Sequence, residues 1–161
     1  MVEKVEKKKS NHAKKGQSLV ELALTLLIIL TLLAGVVDLG MAFFSYVSLR
    51  DAAQEGALYG SIKPIVDSDN DGRYDVGEPL NASEIVNRVR QSSSTPVNLN
   101  DLSNVTVSVT ISDPPCESGW IKVTAIYNYR ISMPFLGAIL GSTTIPLSAS
   151  ATDTILQPAC P

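Results

Sequence analysis

Polar and apolar positions divide the chain into a long helical half and a shorter strand-forming half. Leu19 to Val37 is a run of nineteen residues with Glu21 as its one charge and no proline. At 1.5 Å per residue it rises about 28 Å, close to the hydrocarbon thickness of a bilayer. Apolar residues continue at spacings of three and four through Asp38–Val47, and charges return at Arg50, Asp51 and Glu55 among Ala52, Ala53, Ala57 and Leu58. The spacing predicts one helix over residues 18–60, apolar in its first half and amphipathic in its second. Gly60 and Ser61 offer a stop, and Pro64 enforces one.

A second, shorter helix is predicted after Asn81-Ala82-Ser83-Glu84, which has the spacing of a capping box and precedes an apolar stripe of Ile85, Val86 and Val89. Asn81-Ala82-Ser83 is also a glycosylation sequon, but the cap is the use we assign to it. Gln91–Thr95 reads as a polar connector. Then come three strands. Val105–Ile111 alternates strictly, and Ser112-Asp113-Pro114-Pro115 ends it. Trp120–Arg130 is rich in β-branched and aromatic residues. Thr143–Thr154 puts Ile145, Leu147, Ala149 and Ala151 on one face and Ser148, Ser150 and Thr152 on the other. Met133–Gly141, between the last two, is an apolar turn or short helix. The expected fold is α+β: a long N-terminal helix with its outer half packed on a three-stranded antiparallel meander.

Charge sets the direction. Residues 1–15 carry six lysines against Glu3 and Glu6, a local balance of +4 that leaves −7 for the rest of a chain whose formal net charge is −3. A basic tail before an apolar span reads as a cytoplasmic N-terminus on a single pass through the cytoplasmic membrane, with everything after the span outside. Such a tail can also bind nucleic acid, but its place against an apolar helix favours anchoring, and the scattered basic residues elsewhere form no groove. Ala34-Gly35 offers a weak signal-peptidase site, a reading that leaves Glu21 unexplained. Cys116 and Cys160 are the only cysteines. In an oxidising compartment they are expected to pair, closing a loop of about 45 residues worth about 4 kcal/mol, whereas two free thiols would suit an inverted topology.

Asp67 to Glu78 fits the twelve-residue calcium loop D-x-[DN]-x-[DN]-G-x5-E at every specified position. Asp67, Asp69 and Asp71 converge as the loop coils about Gly72, Arg73 offers its carbonyl, Asp75 reaches directly or through water, and Glu78 closes the site with two oxygens. Five carboxylates within twelve residues repel one another without a cation. So many protein oxygens suit Ca²⁺ better than Mg²⁺. Pro64 and Pro79 leave no room for paired EF-hand helices, so a single loop that pins the connection is expected, and its alternative is a solvated acidic turn.

The junction Lys14-Lys15-Gly16-Gln17-Ser18-Leu19-Val20-Glu21 resembles the leader of a type IV prepilin. The resemblance implies cleavage by a prepilin peptidase after Gly16, Gln17 as the new N-terminus, and Glu21 as the fifth mature residue, which meets a neighbour's terminal amine. Glu21-Leu22-Ala23, Asp38-x-Gly40 and Ala52-Ala53-x-x-Gly56-Ala57 together resemble TadE-like proteins, pseudopilins of tight-adherence pilus systems. That likeness covers residues 14–60 and, more loosely, 120–154; it leaves out 63–80 as an insertion. The implied organisation is a leader at 1–16, a pilin-type helix at 17–62, the calcium-loop insertion at 63–80 and an extracytoplasmic domain at 81–161. The implied partners are other pilin subunits, the peptidase and the inner-membrane assembly machinery.

Catalytic chemistry is not expected. The one histidine, His12, lies in the basic tail, no phosphate-binding glycine loop is present, and two cysteines with one histidine cannot complete a four-ligand zinc site. The reading is a structural pseudopilin; the alternative is an uncleaved single-pass protein with a calcium-stabilised external binding domain, and a secreted enzyme is disfavoured.

Overall fold

The computed structural model describes residues 12–73, 75, 77–112, 119–133, 137 and 141–156, with side chains from Gly16 onward. Helix α1 spans His12–Ile62, helix α2 spans Ala82–Gln91, and strands β1 (Val105–Ile111), β2 (Trp120–Arg130) and β3 (Thr144–Thr154) follow. The α+β architecture and all three strands are as the alternation predicts, to within one residue. Helix α1 starts earlier than expected because Ala13, Lys14 and Lys15 are good helix formers that extend it backwards. It ends two residues before Pro64, with the Lys63 amide donating to the Tyr59 carbonyl at 3.0 Å.

The chain forms two compact units, Met1–Val37 and Asp38–Pro161. Within the first, the leucines and isoleucines of α1 are exposed all round. Thr25 and Thr31 hide their hydroxyls by donating to the Glu21 and Leu27 carbonyls at 2.9 and 2.8 Å, which suits a helix in lipid.

The second unit is a helix–sheet sandwich. The sheet has the order β1-β2-β3, antiparallel throughout, with Val109 opposite Val123 and Ala125 opposite Ala149. Its inner face meets Leu49, Ala52, Ala53 and Ala57 of α1, and Ile85, Val89, Val97, Leu99 and Val105 complete the core. Lengths match. Eleven strand residues extend about 36 Å, and α1 from Asp38 to Ser61 rises about 35 Å. Hydrogen bonds tie both ends: the Leu156 amide donates to the Ser61 carbonyl at 2.8 Å, and the Tyr129 hydroxyl donates to the Asp38 carboxylate at 3.1 Å.

Helix α2 is present, but its start differs from the capping box. The Asn81 side chain caps no backbone amide. Its own amide N–H, which the box would give to Glu84, is already donated to the Pro64 carbonyl at 3.0 Å. The Asn81 side-chain nitrogen instead donates to Glu84 Oε2 at 3.0 Å, and the Tyr59 hydroxyl donates to the same oxygen at 2.7 Å. The box residues thus fasten α2 to α1. An exposed Arg88–Glu55 ion pair at 2.6 Å adds at most about 1 kcal/mol.

Close approach depends on two glycines of α1. A Cβ on Gly56 would collide with Val89 and lie 3.3 Å from Val123 Cγ1; one on Gly60 would lie 2.5 Å from Ile121 Cδ1. Gly56→Val should therefore destabilise the domain by about 2–3 kcal/mol through overpacking, read as a lower denaturation midpoint of the full chain in micelles, whereas Gly40→Ala, which meets nothing within 4 Å, should leave it unchanged.

Candidate functional site

The acidic loop hangs from a two-residue stem. Ile65 and Leu80 form an antiparallel bridge, with the Val66 amide donating to the Pro79 carbonyl and the Asn81 amide to the Pro64 carbonyl, each at 3.0 Å. Because α1 stops just before the stem and α2 starts just after it, the twelve residues between them fold on themselves. Asn70 and Gly72 adopt positive φ (62° and 78°), a conformation that asparagine and glycine tolerate best, and the chain reverses there.

That reversal brings three of the expected ligands together. One carboxylate oxygen from each of Asp67, Asp69 and Asp71 lies within 4.8 Å of the others. The same three carboxylates brace the coil: Asp67 accepts from the Gly72 amide at 2.9 Å, Asp69 from the Asp71 amide at 3.2 Å, and Asp71 from the Arg73 amide at 2.8 Å. Glu78 folds back across the loop, accepting from the Ser68 amide at 2.7 Å and the Asp75 amide at 3.1 Å. Asp75 and Glu78 lie outside the close trio. Asp67 Oδ1 is buried and has no hydrogen-bond partner among the described residues. A buried, unpaired carboxylate oxygen is costly, and a cation at the trio would satisfy it. The donors are all hard oxygens, which fits Ca²⁺ chemistry.

Electrostatics reports the same crowding. Partial desolvation, with repulsion from Asp71, Asp69 and Glu78, raises the Asp75 carboxyl above its ordinary 3.8, and Arg73 opposes the shift. Glu84, beyond the stem, is lowered by its hydrogen bonds from Asn81 and Tyr59.

Of the other sequence-derived positions, Gly16 and Gln17 are exposed within α1, and Glu21 is exposed among Leu19, Val20, Leu22 and Leu24. Cys116 and Cys160, and with them the expected disulfide, lie outside the described residues, as does most of the apolar Met133–Gly141 segment. Sequence reasoning missed the role of Asp38. Its carboxylate accepts from the Tyr129 hydroxyl, from the Ser132 amide at 3.0 Å and from the Met133 amide at 2.7 Å. The available signal was a carboxylate placed directly at the end of an apolar span. Burial, then the Asp38 hydrogen bond, raises the Tyr129 pKa. Beside α2, Met41, Phe44, Val47, Ala52 and Pro96 wall an open hollow of about 880 Å³.

Among the described residues, one apolar helix long enough to cross a bilayer, followed by a helix-packed sheet, fits a single-pass membrane protein of α+β fold. Residues 16–58 match the family model described as TadE-like protein, so the resemblance carried by the helix motifs stands and is consistent with a protein of the Tad pilus. The match covers the helix and ends before the acidic loop and the sheet. No curated protein and no solved structure matches the chain.

The raised Asp75 pKa has a definite sign. A carboxyl whose folded value exceeds its unfolded value penalises the fold fully above the folded value, and the penalty disappears as pH falls below about 3.8. In chelator, Asp75→Asn should be more stable than the parent at neutral pH, and the two melting curves should converge as pH drops through that window. A constant difference across pH would contradict it.

Proposed function

We propose that the chain is a minor pseudopilin of a tight-adherence pilus system: a structural subunit rather than an enzyme, cut by a prepilin peptidase between Gly16 and Gln17 and assembled through its N-terminal helix. The observation that carries this reading is the TadE-like match over residues 16–58, which begins at the glycine where cleavage is expected. The exposed apolar surface of α1 supports assembly. It extends from Leu19 past Asp38 to Tyr46, about 40 Å of helical rise against about 30 Å of hydrocarbon. The excess has an apolar surface suited to like helices. Glu21, exposed within the span, is the group that would meet the Gln17 amine of a neighbour. The basic tail stays inside, and the sheet domain is outside.

Intact-mass measurement of protein sheared from cells should show the chain beginning at Gln17, and Gly16→Ile should abolish the cut. Glu21→Ala should leave insertion and cleavage intact, or improve insertion, since a charge leaves lipid, while incorporation into filaments falls. A mature chain retaining Lys14 and Lys15 would instead indicate an uncleaved single-pass protein.

The acidic loop is proposed as a calcium site held by Asp67, Asp69, Asp71, Asp75, Glu78 and the Arg73 carbonyl. The cation neutralises the crowded carboxylates and supplies the partner that Asp67 Oδ1 lacks among the described residues. A lone exposed loop implies weak affinity, about 10⁻⁴–10⁻³ M. At ten times the dissociation constant, binding adds about 1.4 kcal/mol of stability. Calcium should therefore raise the melting temperature of the purified chain, and Glu78→Gln should remove the increase. A parent melting curve indifferent to millimolar calcium would reduce the loop to a solvated acidic turn.

A further inference from the structure

Alternation gives the sheet a second face. Ile121, Val123, Ala125 and Ala149 point into the core, so the residues between them point the other way, and no described element covers them. The register stands these outward residues in rows. Thr110, Lys122 and Thr152 are abreast, and Ser108, Thr124 and Ser150 form the next row. Adjacent strands lie about 4.8 Å apart and successive rows about 6.6 Å, so hydroxyls recur at a regular spacing in both directions. Trp120, opposite Thr154, ends the rows at the start of β2 and is 45% exposed. Charge sets this face apart from a chain in which sixteen acids outnumber thirteen bases. Its charged residues are Lys122 and Arg130, both exposed. Asp153, the one acid in the three strands, has the parity of Ala149 and Ala151 and lies on the α1 side, beside Arg50 and Gln54.

We infer that the open face of the sheet binds an acidic polysaccharide, with a uronic-acid residue seated on Trp120 and Lys122. Each part of the face has its counterpart in such a polymer. The indole offers a broad apolar surface to the C–H side of a sugar ring. The Lys122 ammonium, two residues along the same strand and about 6.6 Å away, meets the sugar carboxylate. Thr110 and Thr152 flank it with hydroxyls that exchange hydrogen bonds with those of the sugar. Each such bond adds little in water, but a repeating polymer engages several rows at once, and linked weak contacts add up. Nucleic acid fits less well. Two cations are few for a polymer with a charge on every phosphate, and one exposed aromatic does not stack successive bases. An apolar partner fits less well too, because Ile126, the other large apolar residue on the face, is half-buried. The inference concerns the sheet alone, so it stands or falls apart from cleavage, assembly and the calcium site.

The test titrates the full chain in micelles with polygalacturonate, in chelator so that neither the acidic loop nor the polymer holds a cation. Trp120, the one tryptophan, is the reporter. Its emission should move to shorter wavelength and saturate, while dextran, a neutral polysaccharide, should move it far less at equal mass. Lys122→Gln should weaken binding about tenfold. Thr152→Glu, which sets a carboxylate beside Lys122, should weaken it at least as much, whereas Arg50→Gln, a cation removed from α1, should leave it unchanged. All three positions are exposed, so the variants should melt with the parent, and the two on the face check each other. An emission indifferent to polygalacturonate would overturn the inference, as would binding that Lys122→Gln and Thr152→Glu both leave intact. Tighter binding of single-stranded DNA would overturn it in favour of nucleic acid. Self-association that Thr152→Glu abolishes would overturn it in favour of a second copy.

Discussion

The fold depends on how closely β2 and α2 can lie against one stripe of α1. Ala52, Ala53, Gly56, Ala57 and Gly60 make that stripe nearly flat, and Val89, Val123, Ile85 and Ile121 fill the space that side chains would otherwise occupy. Each such buried aliphatic contributes about 1.5–3 kcal/mol, enough for a modest three-stranded sheet to hold a helix that would be marginal in water by itself. The same helix has no such stripe before Asp38, where bulky aliphatics face outward in every direction. One continuous element is therefore built for two solvents, and the change of side-chain size marks where one ends.

Much of this was legible in the sequence because it is periodic. Strict alternation located β1, and the Ser/Ala alternation of β3 assigned its faces, with Leu147, Ala149 and Ala151 turned inward. Ile145 was assigned to the same face but remains largely exposed, at the beginning of the strand. The calcium-loop spacing anticipated the convergence of Asp67, Asp69 and Asp71, because a coiled loop is a local structure dictated by local residues. What failed was non-local. The capping box at Asn81 was reassigned because a distant carbonyl, that of Pro64, had taken the amide it needed. Asp38 looked like a motif residue of a helix, and its partners are on another element entirely. Spacing within a segment cannot reveal a hydrogen bond made across the domain.

The second unit has two chemically different ends. At one, the Asp38 carboxylate gathers the Tyr129 hydroxyl and the Ser132 and Met133 amides at the end of β2. At the other, Ser61 receives the Leu156 amide, and the acidic loop begins a few residues later. Matching helix rise to strand length separates these ends by the full length of the sheet.

The stem at Ile65 and Leu80 has a consequence for how such a domain can change over time. Two backbone hydrogen bonds close the chain immediately after α1 and reopen it immediately before α2, so whatever is spliced between them transmits little strain to the core. Loop-closure entropy grows only logarithmically with length, so a longer or shorter graft costs little. The position behaves as a socket. The helix and sheet can be inherited unchanged while the loop beyond the stem is exchanged, and a peptide epitope inserted there would be displayed without redesign of the scaffold beneath it.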